Sequence, residues 1–132
     1  MSAKIDELYI FDGFSKEEIT YFLLMSQTQY VKTGERILSV GDTSNGCAYY
    51  INNGSVRIIK GGQEIATLGT GAFFGEIALI TDEPRDATVE AVEDTELQVF
   101  LKDDFFTLLQ RSRHGAELQA EILRRVRQKV KE

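Results

Sequence analysis

The sequence predicts a mainly β protein, an antiparallel β-jelly-roll or sandwich with helices at both ends. Between Gln29 and Leu101, short apolar and β-branched runs alternate with turn residues, at positions 37–40, 48–51, 56–59, 65–68, 88–92 and 97–101. Many short strands separated by regular turns are typical of two-sheet antiparallel folds. Before and after this region the apolar residues recur at helical spacing. We therefore expect one helix, a β-roll and two helices, forming a single domain over residues 1–132.

The helices are predicted by capping and periodicity. Ser15 and Glu18 have the spacing of a capping box, in which each side chain bonds to the backbone N–H of the other residue. A helix over 15–27 follows, with apolar Ile19, Phe22 and Leu23. After Lys102 the helical period returns, first through Phe105, Leu108 and Leu109, and then over 115–130 through Leu118, Ile122, Val126 and Val130.

Two turns in the β region carry the residues that hairpins require. Asn52-Asn53-Gly54 separates two apolar runs, and Gly61-Gly62 separates the second of them from the next. Asn and Gly tolerate positive φ, which tight hairpin turns need. Both segments therefore predict antiparallel neighbours.

The composition argues against an enzyme. One cysteine, Cys47, cannot form an internal disulfide or a cysteine zinc site, and one histidine, His114, cannot build an imidazole metal cluster. Neither residue lies in a nucleophile motif. We interpret Cys47 as a small buried hydrophobic residue, and we expect no metal and no catalytic residues.

The charge and the hydropathy of the chain argue against two classes of partner, nucleic acids and membranes. The net charge is −6, and residues 1–110 hold 8 basic against 18 acidic residues. Such an acidic body argues against nucleic-acid binding. No apolar run reaches the ~18 residues that span a membrane, and the first residues lack a secretory h-region. We therefore expect no membrane partner and a cytoplasmic protein.

The segment 73–88 interrupts the strands with a short helical pattern that begins at Gly75. Within 61–101 Arg85 is the only basic residue, against nine acidic ones. A lone guanidinium in such a segment pairs either with a nearby carboxylate, from Glu76, Asp82 or Asp86, or with the anion of a ligand. The guanidinium fork matches the geometry of a phosphate.

The stretch FGEIALITDEPRDATVEA resembles the phosphate-binding cassette of cyclic-nucleotide-binding domains. That family includes protein kinase A regulatory subunits, cyclic-nucleotide-gated channels and the catabolite activator protein. Ten positions within 15 residues match the pattern F-G-E-(L/I)-A-L…P-R-x-A-T: Phe74, Gly75, Glu76, Ile77, Ala78, Leu79, Pro84, Arg85, Ala87 and Thr88. Weaker matches extend the resemblance over about 14–112. It implies an eight-stranded jelly roll and, as ligand rather than cofactor, cyclic AMP or cyclic GMP.

The resemblance also implies roles for the residues of this segment. Arg85 binds the cyclic phosphate, and Glu76 accepts a hydrogen bond from the ribose 2′-hydroxyl. Backbone N–H groups around Gly75, Ile77 and Ala78 complete the cradle. The expected ligand-binding set is Phe74, Gly75, Glu76, Ile77, Ala78, Arg85, Asp86, Ala87 and Thr88. For Thr88, an ordinary strand position explains the residue equally well.

Asp86 departs from the family pattern, which has Ala, Ser or Thr directly after the arginine. If its carboxylate points at the ligand, repulsion of the phosphate weakens binding, and the chain is then a degenerate fold that serves as a protein-interaction module. A second hypothesis is that Asp86 accepts from the guanine 2-amino group and favours cyclic GMP. If Asp86 instead turns outward or pairs with Arg85, the repulsion changes form, and a pair with Arg85 would itself compete with the ligand.

The last helix suggests how a signal leaves the domain. In the family, a C-terminal helix moves on binding and often covers the base, and here the residues for that contact are Ile122, Leu123 or Val126. A core or dimer stripe is the more ordinary explanation. We therefore expect a sensor that acts on a protein effector, or as a homodimer, through this helix.

Overall fold

The computed structural model describes the backbone of residues 5–131 and the side chains of residues 5–125, 127 and 128. The helices are α1 (Lys16–Met25), α2 (Lys102–Arg111) and α3 (Gly115–Lys131), with short 3₁₀ helices at Ile5–Glu7, Tyr9–Phe11 and Glu76–Leu79. The strands are β1 (Gln27–Val31), β2 (Arg36–Leu38), β3 (Cys47–Asn53), β4 (Ser55–Lys60), β5 (Gln63–Gly69), β6 (Phe73–Phe74), β7 (Thr88–Ala91) and β8 (Thr95–Leu101).

The strands form two four-stranded sheets, with the orders β1-β8-β3-β6 and β2-β7-β4-β5. The pairings within each sheet are antiparallel. One of the two predicted hairpins is present, because β4 pairs with β5 across Gly61-Gly62. The hairpin predicted at Asn52-Asn53-Gly54 is wrong, since β3 and β4 lie in different sheets, and Gly54, with a φ of 122°, turns the chain from one sheet to the other. The predicted antiparallel jelly roll with terminal helices is confirmed.

One hydrophobic core lies between the two sheets. It is formed mainly by aliphatic residues that face inward from both: Val31, Leu38, Tyr49, Ile51, Val56, Phe74, Val89, Ala91, Leu97 and Val99. Alternation along each strand sends these side chains to one face and their neighbours to the other.

A second core lies between the first sheet and the helices, and it is rich in phenylalanine. Its buried members include Phe11, Phe14, Phe22, Phe73, Phe100, Phe105, Leu108, Leu109 and Ile122. Adjacent residues of β6 divide between the cores: the Phe73 ring lies 5.7 Å from that of Phe100, and Phe74 stacks on Tyr49 at 5.2 Å. The segment after β6 is therefore anchored on both sides of the first sheet.

The predicted elements match the observed ones with three differences. The capping box is present, since Glu18 N–H donates to Ser15 Oγ at 3.1 Å and Ser15 N–H to Glu18 Oε1 at 2.8 Å. However, α1 ends at Met25 rather than at 27, and Gln27 already begins β1. Strands β1 and β6 were not predicted. Among the described residues, no helix is long and apolar enough to cross a membrane.

Candidate ligand-binding site

A cavity of about 300 Å³ opens between the β4–β5 hairpin and the segment that joins β6 to β7. Its apolar wall is formed by Leu38, Ile58, Ile65, Leu68, Phe73, Phe74, Ile77, Ala87 and Val89. Four charged residues also line it: Lys60, Glu76, Arg85 and Asp86. A mostly apolar pocket of this size with a few convergent polar groups is typical of a small-molecule site.

Gly75 gives the segment its shape. Its φ of 73° lies in the left-handed region, which a residue with a side chain rarely adopts, and the 3₁₀ turn Glu76–Leu79 starts directly after it. A Cβ at this position would lie 3.2 Å from Arg85 Nη1. Glycine therefore permits both the turn and the close approach of the arginine.

Arg85 is buried, with 5% of its surface exposed, and it bonds to neutral oxygens. Its Nη1 donates to the Gly75 carbonyl at 3.2 Å, and its Nη2 to Asn45 Oδ1 at 2.5 Å and to the Cys47 carbonyl at 2.7 Å. Its buried Nε has no hydrogen-bond acceptor within the described part of the chain. Burial is the main cause that lowers the pKa of this guanidinium.

The three carboxylates that were candidates to neutralise Arg85 bond elsewhere. Asp82 pairs with Lys102, and Asp86 lies 3.6 Å from the ammonium of Lys60. Glu76 Oε2 accepts from the Tyr9 hydroxyl at 3.2 Å. Arg85 forms no salt bridge with any described carboxylate, so the local ion-pair interpretation of this residue is wrong.

Asn45 is a site residue that the sequence analysis missed. Besides accepting from Arg85, its Oδ1 accepts from the Cys47 backbone N–H at 3.1 Å, and its Nδ2 donates to the Tyr49 hydroxyl at 3.1 Å. Ser44-Asn45-Gly46 is a turn sequence, but nothing in it indicates contact with an arginine 40 residues away. Cys47 is only partly buried, so its interpretation as a buried residue is wrong in degree.

The backbone holds the arginine loop against the turn after β2. The Arg85 N–H donates to the Asp42 carbonyl at 2.9 Å, and the Gly41 N–H donates to the Arg85 carbonyl at 2.7 Å. Val40 N–H likewise donates to Thr88 Oγ1 at 3.0 Å. These bonds keep Arg85 in place independently of its side-chain contacts.

Of the nine residues in the expected binding set, seven line the cavity and two do not. Ala78 and Thr88 are absent from its wall, at 1% and 6% exposure. The Ala78 N–H donates to the Gly75 carbonyl at 3.2 Å, within the 3₁₀ turn. Thr88 serves the strand contact with Val40 described above, so both residues have a structural role here.

The comparisons with known proteins identify the family. The family model for the cyclic nucleotide-binding domain matches residues 28–112, which is more than half of the chain. The chain belongs to the cyclic nucleotide-binding domain family. The matched range contains the whole cavity segment, from Phe73 to Val89.

Relatives of this family resemble most of the chain. The cyclic AMP receptor protein of Thermus thermophilus is 35% identical over 125 residues, which is 90% of this chain and 57% of the relative. The cGMP-dependent protein kinase of Plasmodium berghei is 34% identical over 91 residues, 69% of this chain and 10% of that protein. The crystal structure of the Thermus thermophilus catabolite activator protein superposes with a TM-score of 0.73 at 33% identity, covering 92% of this chain and 59% of that one.

The chain therefore spans little more than half of one curated relative and a tenth of the other. The family recognised from the cassette residues is confirmed. The roles of individual binding residues in this cyclic nucleotide-binding domain remain predictions.

The last helix does not lie over the cavity. Ile122 is buried in the helix-side core at 3% exposure, and Leu123 lines a separate shallow groove with Ala120 and Arg124. No described side chain of α3 contributes to the cavity wall. The expectation that Ile122 or Leu123 faces a base is therefore not met in this structure, and the side chain of Val126 lies outside the described residues.

Instead, α3 contacts the loop of the cassette. Arg127 Nη1 donates to Glu83 Oε1 at 2.8 Å, and its Nη2 lies 2.6 Å from Glu83 Oε2. Hydrogen bonds from Arg127 are the main cause that holds the pKa of Glu83 below its ordinary value. Near the start of the same helix, Leu118 packs against the helix-side core.

Proposed function

We propose that this domain is a sensor that binds a cyclic nucleotide in the cavity beside Arg85. One observation carries the proposal: a buried guanidinium is bonded to neutral oxygens and forms no salt bridge with a described carboxylate. A buried charge without a partner is costly, so a protein that keeps one usually pairs it with an anion.

The geometry fits a phosphate as that anion. Three neutral acceptors orient Arg85 before any ligand binds, and none of them carries a negative charge. The Nε hydrogen still lacks an acceptor, which a phosphate oxygen can supply. Charge-assisted, bidentate contacts of this kind are stronger than neutral hydrogen bonds and match phosphate geometry.

The rest of the cavity fits a nucleoside. Glu76 lines the wall, and an ionised carboxylate has about four acceptor positions, so it can accept from a ribose hydroxyl as well as from Tyr9. The apolar residues of the hairpin, Ile58, Ile65 and Leu68, offer a surface for a flat base. The relatives named above include both a cyclic AMP receptor and a cGMP-dependent kinase, so the proposed ligand is either nucleotide.

Calorimetric titration of nucleotide-free protein with cyclic AMP and with cyclic GMP tests this proposal. We expect binding of at least one, and a dissociation constant that rises about 10- to 100-fold in Arg85→Lys, because lysine cannot reproduce the guanidinium fork. The matched control is Arg36→Lys, whose side chain is exposed and bonds Glu90 outside the cavity. This control should bind as the wild type does.

Absence of heat and of thermal stabilisation with either nucleotide at millimolar concentration would contradict the proposal. The domain would then be a member of the family that serves as a protein-interaction module. Binding that is equally tight in Arg85→Lys would also count against it, because the carrying observation would then have no functional consequence.

The proposed output is a change in the position of α3, without catalysis. Support comes from the contact between Arg127 and Glu83, which joins this helix to the loop that also holds Arg85. A ligand shifts such an equilibrium only by its difference in affinity between the two positions of the helix. A spin label at Gln128 and another on β5 would report the distance with and without nucleotide, and an unchanged distance on saturation would remove helix movement from the proposal.

A further inference from the structure

Two charged residues of opposite sign face each other at the mouth of the cavity. Lys60 is the last residue of β4, and Asp86 follows Arg85 directly in the chain. The Lys60 Nζ lies 3.6 Å from Asp86 Oδ2, and both residues line the cavity. Their side chains are about half exposed, so the pair lies between the ligand space and solvent.

The position of the Asp86 carboxylate matters because its neighbour is the proposed phosphate ligand. A carboxylate beside Arg85 would compete with the phosphate for the guanidinium and would repel it. In the structure, however, the acceptors of Arg85 are Gly75, Asn45 and Cys47. Asp86 pairs with Lys60 at the end of the neighbouring strand β4. The aspartate is still close enough for its charge to act on Arg85.

We propose that Lys60 is a positioning residue for ligand binding, which holds the Asp86 carboxylate away from Arg85 and offsets its charge. The inference rests on the proposed function and deepens it. It explains how a phosphate site tolerates an aspartate directly after its arginine. It also links the β4–β5 hairpin to the phosphate end of the cavity through one ion pair.

An exposed ion pair contributes little to the stability of a fold, so the expected effect is on binding. Without Lys60, Asp86 is free to turn toward Arg85, and Lys60→Met should weaken binding about 10-fold. Asp86→Ala should tighten it about two- to threefold, since it removes a residual negative charge. In the double variant the competing carboxylate is gone, and binding should return to within about threefold of the wild type.

The test is this double-mutant cycle, measured by calorimetry with cyclic AMP and cyclic GMP at low and high salt. Lys32→Met serves as the control, because Lys32 is an exposed lysine outside the cavity. The loss in Lys60→Met should shrink at high salt, since exposed charges are screened. A double variant that binds as weakly as Lys60→Met would overturn the proposal, because Lys60 would then act on the ligand directly or through the hairpin.

A second measurement needs no ligand. In the free protein, the Nε–H resonance of Arg85 should move in Lys60→Met as Asp86 turns toward it, and should return in the double variant. If the wild type binds neither nucleotide but this pattern appears, the proposed function fails and the positioning by Lys60 stands. If nucleotide binds while neither the cycle nor the resonance shows coupling, the function stands and the positioning fails.

Discussion

Arg85 and three arginines of α3 differ in their burial, in their hydrogen-bond partners and in the direction of their pKa shifts. Arg124, Arg125 and Arg127 are exposed, and each pairs with a carboxylate, on Glu121, Asp12 or Glu83. Hydrogen bonds to those carboxylates are the main cause that raises the pKa values of the three arginines. Arg85 is buried among neutral acceptors, and burial lowers its pKa.

This difference indicates that the surroundings of Arg85 are rigid, whereas the contact of Arg127 with Glu83 opens at little cost in free energy. Exposed ion pairs contribute little, because water screens the charges and two long side chains lose rotamer freedom. A buried cation without an anion has an unfavourable free energy of desolvation, so its position depends on the hydrogen bonds to its neighbours. We therefore expect Arg85 to be held in place before any ligand binds, and the contact between Arg127 and Glu83 to break at little cost.

The largest loss of binding is expected when an added side chain crowds the buried Arg85. Gly75→Ala introduces a side chain at positive φ, which costs about 1–2 kcal/mol of stability, and places its Cβ 3.2 Å from Arg85 Nη1. We expect cyclic-nucleotide binding to weaken by about 10- to 100-fold, because the guanidinium is displaced. Calorimetry gives the dissociation constant, and urea unfolding gives the stability.

Gly34→Ala is the matched control for that variant. Gly34 has a φ of 85°, and nothing lies within 4 Å of a Cβ placed there. It should lose a similar amount of stability and retain the affinity of the wild type. If both variants bind equally well, the space beside Arg85 is not what the glycine provides.

How much of this site is visible in the sequence depends on how local each contact is. Gly75, Glu76 and Arg85 lie within one contiguous motif, so pattern alone brings them together. The capping box at Ser15 and the hairpin turn at Gly61-Gly62 are equally local, and both were predicted. At Asn52-Asn53-Gly54 the sequence predicts the turn but not that the chain passes there to the other sheet. Strand β1 was missed because four of its five residues are exposed and polar or aromatic, without the alternation that marks a half-buried strand.

The support of Arg85 is not local, and it was missed for that reason. Asn45 bonds to Arg85 across 40 residues of sequence. Lys60 meets Asp86 from the end of β4, the strand that pairs with β7 just beyond Asp86. Tertiary structure brings these residues together, because Asn45, Arg85 and Asp86 lie in loops that meet only in the folded domain. Likewise, the two-residue strand β6 is too short for any periodicity and is defined by its pairing with β3.

A smaller effect is expected when one neutral acceptor is removed. Asn45→Ala deletes the 2.5 Å bond to Arg85 Nη2 and leaves that donor with the Cys47 carbonyl alone. We expect a loss of about 1–3 kcal/mol in stability and about 10-fold in affinity, because the buried donor is undersatisfied and the guanidinium gains freedom. Titration calorimetry and urea unfolding measure the two effects.

Asn52→Ala is the control, because Asn52 is also partly buried and donates to Glu96 and Gln98 outside the cavity. It should lose stability without losing affinity. Equal affinities for the two variants would mean that Asn45 supports the fold and not the arginine. The contrast between the buried Arg85 and the exposed arginines of α3 would then lose its main support.

The smallest effect is expected at the exposed end of the comparison. Arg127→Ala should change nucleotide affinity by less than about threefold, since an exposed pair contributes little. The pair is instead detected by titration, because Arg127 lowers the pKa of Glu83. The attraction between the two side chains is complete above the ordinary carboxyl pKa and is lost as the pH falls through the lowered pKa of Glu83.

In Arg127→Ala, the pKa of Glu83 measured by carboxyl NMR should rise toward its ordinary value. Arg124→Ala, whose partner is Glu121, should leave Glu83 unchanged. An unaltered Glu83 pKa in Arg127→Ala would mean that the helix and the cassette loop are not joined by this pair in solution. If the pKa of Glu83 rises and the nucleotide affinity changes little, the pair joins α3 to the cassette loop only weakly. A modest difference in ligand affinity between two positions of the helix is then enough to break this contact.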